Sequence, residues 1–186
     1  MPSWATHDSN ANGQTNDGVA EGFNNDATGI LDVDASKTSS LKLSDMPIKV
    51  IDGVEYYEFR VDLNETNNVA GRIVTLNEFK IYTSTSPATL ANFNNTTDEF
   101  GAGFTKVYDL DAGEDRTLIL RDDNSGSGTD DYSVLIKVSA FGDVDPTTTY
   151  LTLYTNMGRQ PGAAEDGGFE EWKTEDVAAS ITGTKF

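Results

Sequence analysis

The sequence predicts an all-β chain, a jelly-roll-like antiparallel β-sandwich with an extended N-terminal arm. Three observations lead there. From residue 54 onward apolar and polar side chains alternate with a period of two, the signature of half-buried strands. Val, Ile, Tyr, Phe and Thr fill the periodic stretches, and none of these stretches repeats with helical spacing. Clusters of Gly, Asn and Asp divide them into roughly eight to ten short strands, the spacing of sandwiches and jelly rolls.

Residues 1–45 read as an arm comprising a donor strand and a linker, and residues 46–186 as the sandwich domain. Between Trp4 and Gly29 the chain is dominated by Asn, Asp and Gly, with Val19 and Phe23 its core-forming residues. Such a segment cannot offset its ordering entropy by burial of its own, so it is expected to lie on another surface. Trp4 has no local core to join and is the natural anchor for a neighbouring molecule. Val19, Phe23, Ile30, Leu31 and Val33 complete the residues expected to meet that partner.

The sandwich begins after Met46-Pro47 with Ile48-Lys49-Val50-Ile51, and Asp52-Gly53 supplies a hairpin turn. In the next strand Tyr57, Phe59, Val61 and Leu63 share one face, with Glu58, Arg60 and Asp62 on the other. A strand at 73–82 points Phe79 and Ile81 inward, and its alternation slips near Leu76, which marks a bulge. Residues 84–103 read as a long loop. Further strands are expected at 104–108, 116–121, 132–140, 149–155 and 169–173, with a last candidate at 177–186. In the 132–140 strand, Tyr132, Val134, Ile136, Val138 and Ala140 share a face.

Charge and composition narrow the function. A net charge of -18 and a pI near 4.1 repel nucleic acid and anionic lipid, so neither is an expected partner. No apolar run reaches the ~20 residues of a membrane helix, and residues 1–15 lack the charged and apolar regions of a signal peptide. Few basic residues and loops rich in Asn, Thr, Ser and Gly give the chain the look of a secreted, mature, extracellular or cell-surface protein. There is no cysteine, and the single histidine, His7, sits in the arm, so thiol chemistry and histidine-based triads are excluded. A non-enzymatic role is expected.

Calcium is the candidate cofactor, since hard cations take carboxylate, amide and carbonyl oxygens from irregular loops. Three acidic stretches offer them: 62–68 with Asp62 and Asn64, 109–115 with Asp109 and Asp111, and 122–131 with Asp122, Asp123 and Asp130. The tripeptides beginning at Asn64, Asn94 and Asn95 match the N-glycosylation acceptor pattern.

The ordered set of tracts 57–65, 74–84, 107–113, 124–131 and 166–172 resembles exported bacterial β-sandwich proteins of the PEP-CTERM-sorted kind. The last runs Asp166-Gly167-Gly168-Phe169-Glu170-Glu171-Trp172. That group includes fibril-forming surface proteins that exchange a terminal strand, and the resemblance implies secretion and a non-catalytic role. No Pro-Glu-Pro motif, apolar span or basic tail follows Trp172, so membrane sorting is not expected unless such a segment was removed.

The expected function is that of a structural subunit of an extracellular bacterial filament. It polymerises head to tail with itself as the N-terminal arm inserts into a groove of the adjacent protomer, by donor-strand complementation. The alternative is a monomeric calcium-stabilised carbohydrate-binding module, with glycans as its ligands.

Overall fold

The fold is given by a computed structural model that describes residues 3–6, 19–24, 31, 38–65, 72–123, 129–158, 160–163 and 170–174. It is an antiparallel β-sandwich. In chain order the strands are β1 (Ser3–Thr6), β2 (Ala20–Phe23), β3 (Leu41–Lys42), β4 (Ile48–Ile51), β5 (Val54–Asp62), β6 (Ile73–Ser84) and β7 (Phe93–Asn94). They continue with β8 (Glu99–Phe100), β9 (Phe104–Asp109), β10 (Leu118–Arg121), β11 (Tyr132–Lys137), β12 (Tyr150–Met157) and β13 (Glu170–Lys173).

Each main sheet is built on long central strands whose flanks are covered end to end by shorter ones. In the first sheet β5 pairs with β11 on one side; on the other it pairs with β4 along Val54 to Tyr57 and with β13 along Arg60 to Asp62. Strand β1 lies outside β13. In the second sheet β6 and β12 pair along almost their whole lengths, β9 and β10 share the free side of β6, and β2 and β3 share the free side of β12. The chain crosses repeatedly between layers, from β3 to β4, β5 to β6, β10 to β11, β11 to β12 and β12 to β13.

The β4–β5 hairpin follows from its turn. Asp52 and Gly53 both take left-handed backbone angles (φ 51° and 77°), which two-residue hairpin loops require and which Asp-Gly tolerates. The slip in β6 is also physical. Its buried apolar residues are Val74 and Leu76 and then Phe79 and Ile81, so parity flips across Asn77. The ladder with β12 skips that residue, running from Asn156↔Glu78 to Met157↔Leu76.

Between the layers Tyr57, Phe59, Val61 and Leu63 meet Phe79, Ile81, Leu151 and Leu153. Trp172, fully buried, packs on Phe79 with ring centroids 5.2 Å apart. Burying each of these side chains contributes about 1.5–3 kcal/mol.

Three expectations change. Residues 84–103 are more than a loop. They carry a 3-10 turn at Leu90–Asn92 and the small β7–β8 pair, and they lay Phe93 and Phe100 over the outer face of the second sheet. There Phe100 meets Phe23 (5.0 Å) and Tyr82 (5.0 Å), forming a second apolar cluster. The strand expected over 132–140 ends at Lys137 and turns into a 3-10 segment, Val138–Phe141, so Phe141 and not Ala140 reaches the core. The strand expected at 116–121 starts at Leu118. The candidate strand at 177–186 lies outside the described residues, as do Ile30 and Val33.

Segment 1–45 contributes to both sheets. Strands β2 and β3 pair with β12, and β1 pairs with β13. Phe23 and Leu31, expected to meet a partner, are buried against their own chain's Tyr82, Ala88, Phe100 and Tyr154.

Candidate functional site

The arm's first strand has a defined seat. β1 pairs antiparallel with β13 in the register Ser3↔Lys173, Trp4↔Trp172, Ala5↔Glu171 and Thr6↔Glu170. Strand β13 is firmly held. Trp172 is in the core beside Val61, and the buried Glu170 carboxylate accepts the Asn64 N–H (3.3 Å). The Lys173 ammonium reaches Asp130 at 2.6 Å and Asp62 at 4.0 Å. A fixed strand thus offers its outer backbone edge, with Trp172 at its centre, to a four-residue strand centred on Trp4.

β1 and β2 lie against one another at the same side of the sandwich, one in each sheet. Residues 7–19 separate them in sequence; thirteen residues reach roughly 45 Å when extended. Strand β2 is anchored by Phe23 and by Asn24, whose side chain continues the ladder. Its Oδ1 accepts the Leu153 N–H (2.7 Å) and its Nδ2 donates to the Leu151 carbonyl (3.0 Å). The arm is therefore fastened at β2. In sequence, its outer strand β1 precedes that anchor by residues 7–19.

The acidic candidates fall into two places. The described residues of the first and third stretches, 62–65 with 122, 123, 130 and 131, meet at the end of β5, where three successive backbone N–H groups donate to carboxylates. Leu63 donates to Asp131 (2.9 Å), Asn64 to Glu170, and Glu65 to Asp122 (3.1 Å). Arg60 links Asp130 (3.3 Å) to Glu58 (3.0 Å), and Lys49 adds a bond to Glu58 (2.8 Å). Asp123 turns to Arg121 (2.8 Å) and Arg72 (3.8 Å). Asp62, Asn64, Asp122 and Asp130 thus belong to one network that includes cations and backbone donors. Burial pushes the Glu58 carboxyl up, but hydrogen bonds from Lys49 and Arg60 outweigh it and hold Glu58 below the usual range.

The second place is where Asp109 and Asp111 meet Glu78; each offers an oxygen within 4.8 Å of the others. Glu78 is absent from the sequence candidates because it sits thirty residues away on β6. Only the register Lys80↔Asp109 brings the strands together. Lys106 bonds Asp109 (2.8 Å) and Lys80 bonds Glu78 (2.8 Å). Burial raises the Glu78 carboxyl above its ordinary range despite Lys80, and Asp111 beside it adds to the rise. Burial also raises Asp109, but there Lys106 and the Asp111 N–H prevail and hold it low. A cavity of about 470 Å³ opens beside this cluster, lined by Asn77, Glu78, Asp111, Asp115, Thr117 and Gln160.

Comparison of the chain with protein-family models, curated proteins and solved structures gives no match. Among the described residues, no helix is long and apolar enough to cross a membrane.

Proposed function

We propose that this chain is a structural subunit of an extracellular filament, exported from its cell and polymerising head to tail with copies of itself by exchange of β1. The observation that carries the reading is the seat of β1 on β13, a fixed edge met by a short strand at the end of a thirteen-residue segment. The same backbone bonds form whether β1 comes from its own chain or a neighbour's. The closed and exchanged forms therefore differ in the conformational cost of residues 7–19 and in protein concentration. An exchanged contact is head to tail and does not close on itself, so it propagates into a fibre. The resemblance to exported, fibril-forming β-sandwich proteins supports the same reading.

Light scattering after size exclusion tests it. The full chain is expected to form concentration-dependent oligomers, and a chain lacking residues 1–18 to remain monomeric with its sandwich intact. Oligomers that persist after the truncation overturn the reading.

The cluster of Glu78, Asp109 and Asp111 favours a second reading, a monomeric calcium-stabilised module that binds glycans. A cation there has to displace Lys106 from Asp109, so affinity should be modest. Under this reading calcium raises the melting temperature of the native chain and leaves that of Glu78→Gln unchanged; an equal response in both proteins removes it.

A further inference from the structure

The β7–β8 hairpin is firmly held at its base and exposed at its tip. Phe93 and Phe100 pack on Phe23 with ring centroids 5.5 and 5.0 Å away. The Glu99 carboxylate accepts the Tyr82 hydroxyl (2.6 Å), and the Lys80 ammonium donates to the Asp98 carbonyl (3.3 Å). Both strands are thereby fixed to the second sheet. The turn between them is closed by the Thr97 and Asp98 N–H groups, which both donate to the Asn94 carbonyl (3.2 and 2.9 Å). Asp98 takes the left-handed angle (φ 52°) that returns the chain into β8. Asn94, Asn95, Thr96 and Thr97 are all exposed.

Two of the sequence's acceptor tripeptides overlap in this turn, Asn94-Asn95-Thr96 and Asn95-Thr96-Thr97. Transfer of a saccharide to asparagine needs a carboxamide nitrogen open to attack and, two residues on, a hydroxyl presented to the transferase that reads it. Asn94 supplies both. Its Oδ1 accepts the Thr96 N–H (3.0 Å), an Asx turn that folds the Thr96 backbone against the Asn94 side chain. The Asn94 Nδ2 and the Thr96 hydroxyl make no hydrogen bond among the described residues. Asn95 lacks such a turn, because the Thr97 N–H that would close it is directed to the Asn94 carbonyl. Asn64 is half-buried beside Glu170, to which its N–H donates (3.3 Å), and the Thr66 of its tripeptide lies outside the described residues.

We infer that Asn94 is an N-glycosylation site whose donor is a saccharide carried on a polyprenyl diphosphate. In the transfer a bond forms between Nδ2 and the sugar C1 as the bond from C1 to the diphosphate oxygen breaks. The polyprenyl diphosphate leaves with the electron pair, Nδ2 gives up one proton, and nothing is oxidised or reduced. The hairpin lies over the outer face of the second sheet, whereas β1 and β13 belong to the first, so a saccharide on Asn94 leaves the arm's seat uncovered. This inference rests on the export in the filament reading and not on exchange of β1.

Mass spectrometry of the full chain, produced in its native host and collected separately from the cells' interior and from their surface and medium, tests it. Trypsin cuts after Lys80 and Lys106 and releases the turn as one peptide, 81–106. In exported protein that peptide is expected to carry a saccharide mass that fragmentation places on Asn94. Thr96→Ala should abolish it, Thr96→Ser should retain it and Thr97→Ala should leave it unchanged. Thr96 is exposed and its backbone N–H survives these changes, so the turn is kept. An exported chain with a bare 81–106 peptide overturns the inference and leaves the export reading standing. So does a saccharide that survives Thr96→Ala and is lost in Thr97→Ala, which assigns it to Asn95, or one that fragmentation places on a threonine hydroxyl. A chain found in the interior alone removes the export reading, and this inference with it.

Discussion

Asn24 does with a side chain what a strand residue does with its backbone, bonding both Leu153 N–H and Leu151 C=O from a buried position. Asn24→Ala strands two buried backbone groups and is expected to destabilise the fold by about 2–4 kcal/mol, read from urea denaturation. Asn24→Asp keeps the acceptor, and its loss should be smaller when the new carboxyl is protonated. Nothing in the sequence singles this residue out, because it stands among other asparagines and its partners are more than a hundred residues away. Glu58 was legible only as an outward residue of its strand, whereas Lys49, Arg60 and the surrounding packing make it a buried anion. Its folded pKa is depressed, so its contribution to stability is complete above the ordinary glutamate range and fades as pH falls through the lowered value. Glu58→Gln should therefore lower the melting temperature at neutral pH, and the gap between variant and native chain should shrink in acid. A gap that widens in acid contradicts the assignment.

At the scale of elements, local chemistry decided what the sequence disclosed. The β4–β5 hairpin was readable because Asp52-Gly53 is a turn signal by itself, and the β6 bulge because apolar parity flips within a few residues of Asn77. Gly53→Val should destabilise by about 1 kcal/mol or more, since a β-branched residue is strained at φ 77° even though the space around it is open. The aromatic layer over the second sheet was unreadable for the opposite reason. β7 and β8 are two residues long, too short for a period, and Phe93 and Phe100 find their partners on β2, β6 and β12. Phe100→Ala should cost about 3–5 kcal/mol if that layer is a true core. A change within experimental error would reduce it to a surface loop. The cluster of Glu78, Asp109 and Asp111 was half legible in the same sense: the sequence supplied Asp109 and Asp111, while Glu78 needed the β6–β9 register.

For the whole molecule, a charge of -18 on every copy opposes association, and the proposed assembly by strand exchange would have to overcome that repulsion. Raising ionic strength to about 0.15 M, where the Debye length is about 8 Å, should therefore promote oligomers of the full chain. Oligomers that dissolve as salt is added would point to contacts made by charge pairs. The sandwich was legible as a whole because period-two alternation survives across its longer strands. The seat of the arm was not, since a four-residue strand among polar residues carries no periodic signal. That seat is also where the functional reading is most exposed to test. The chain has no cysteine, so Ala5→Cys with Glu171→Cys, opposite one another in the β1–β13 register, reports which chain supplies the strand. After oxidation at increasing protein concentration, strand exchange predicts a ladder of disulfide-linked multimers on a denaturing gel. A disulfide formed within single chains at every concentration would contradict it.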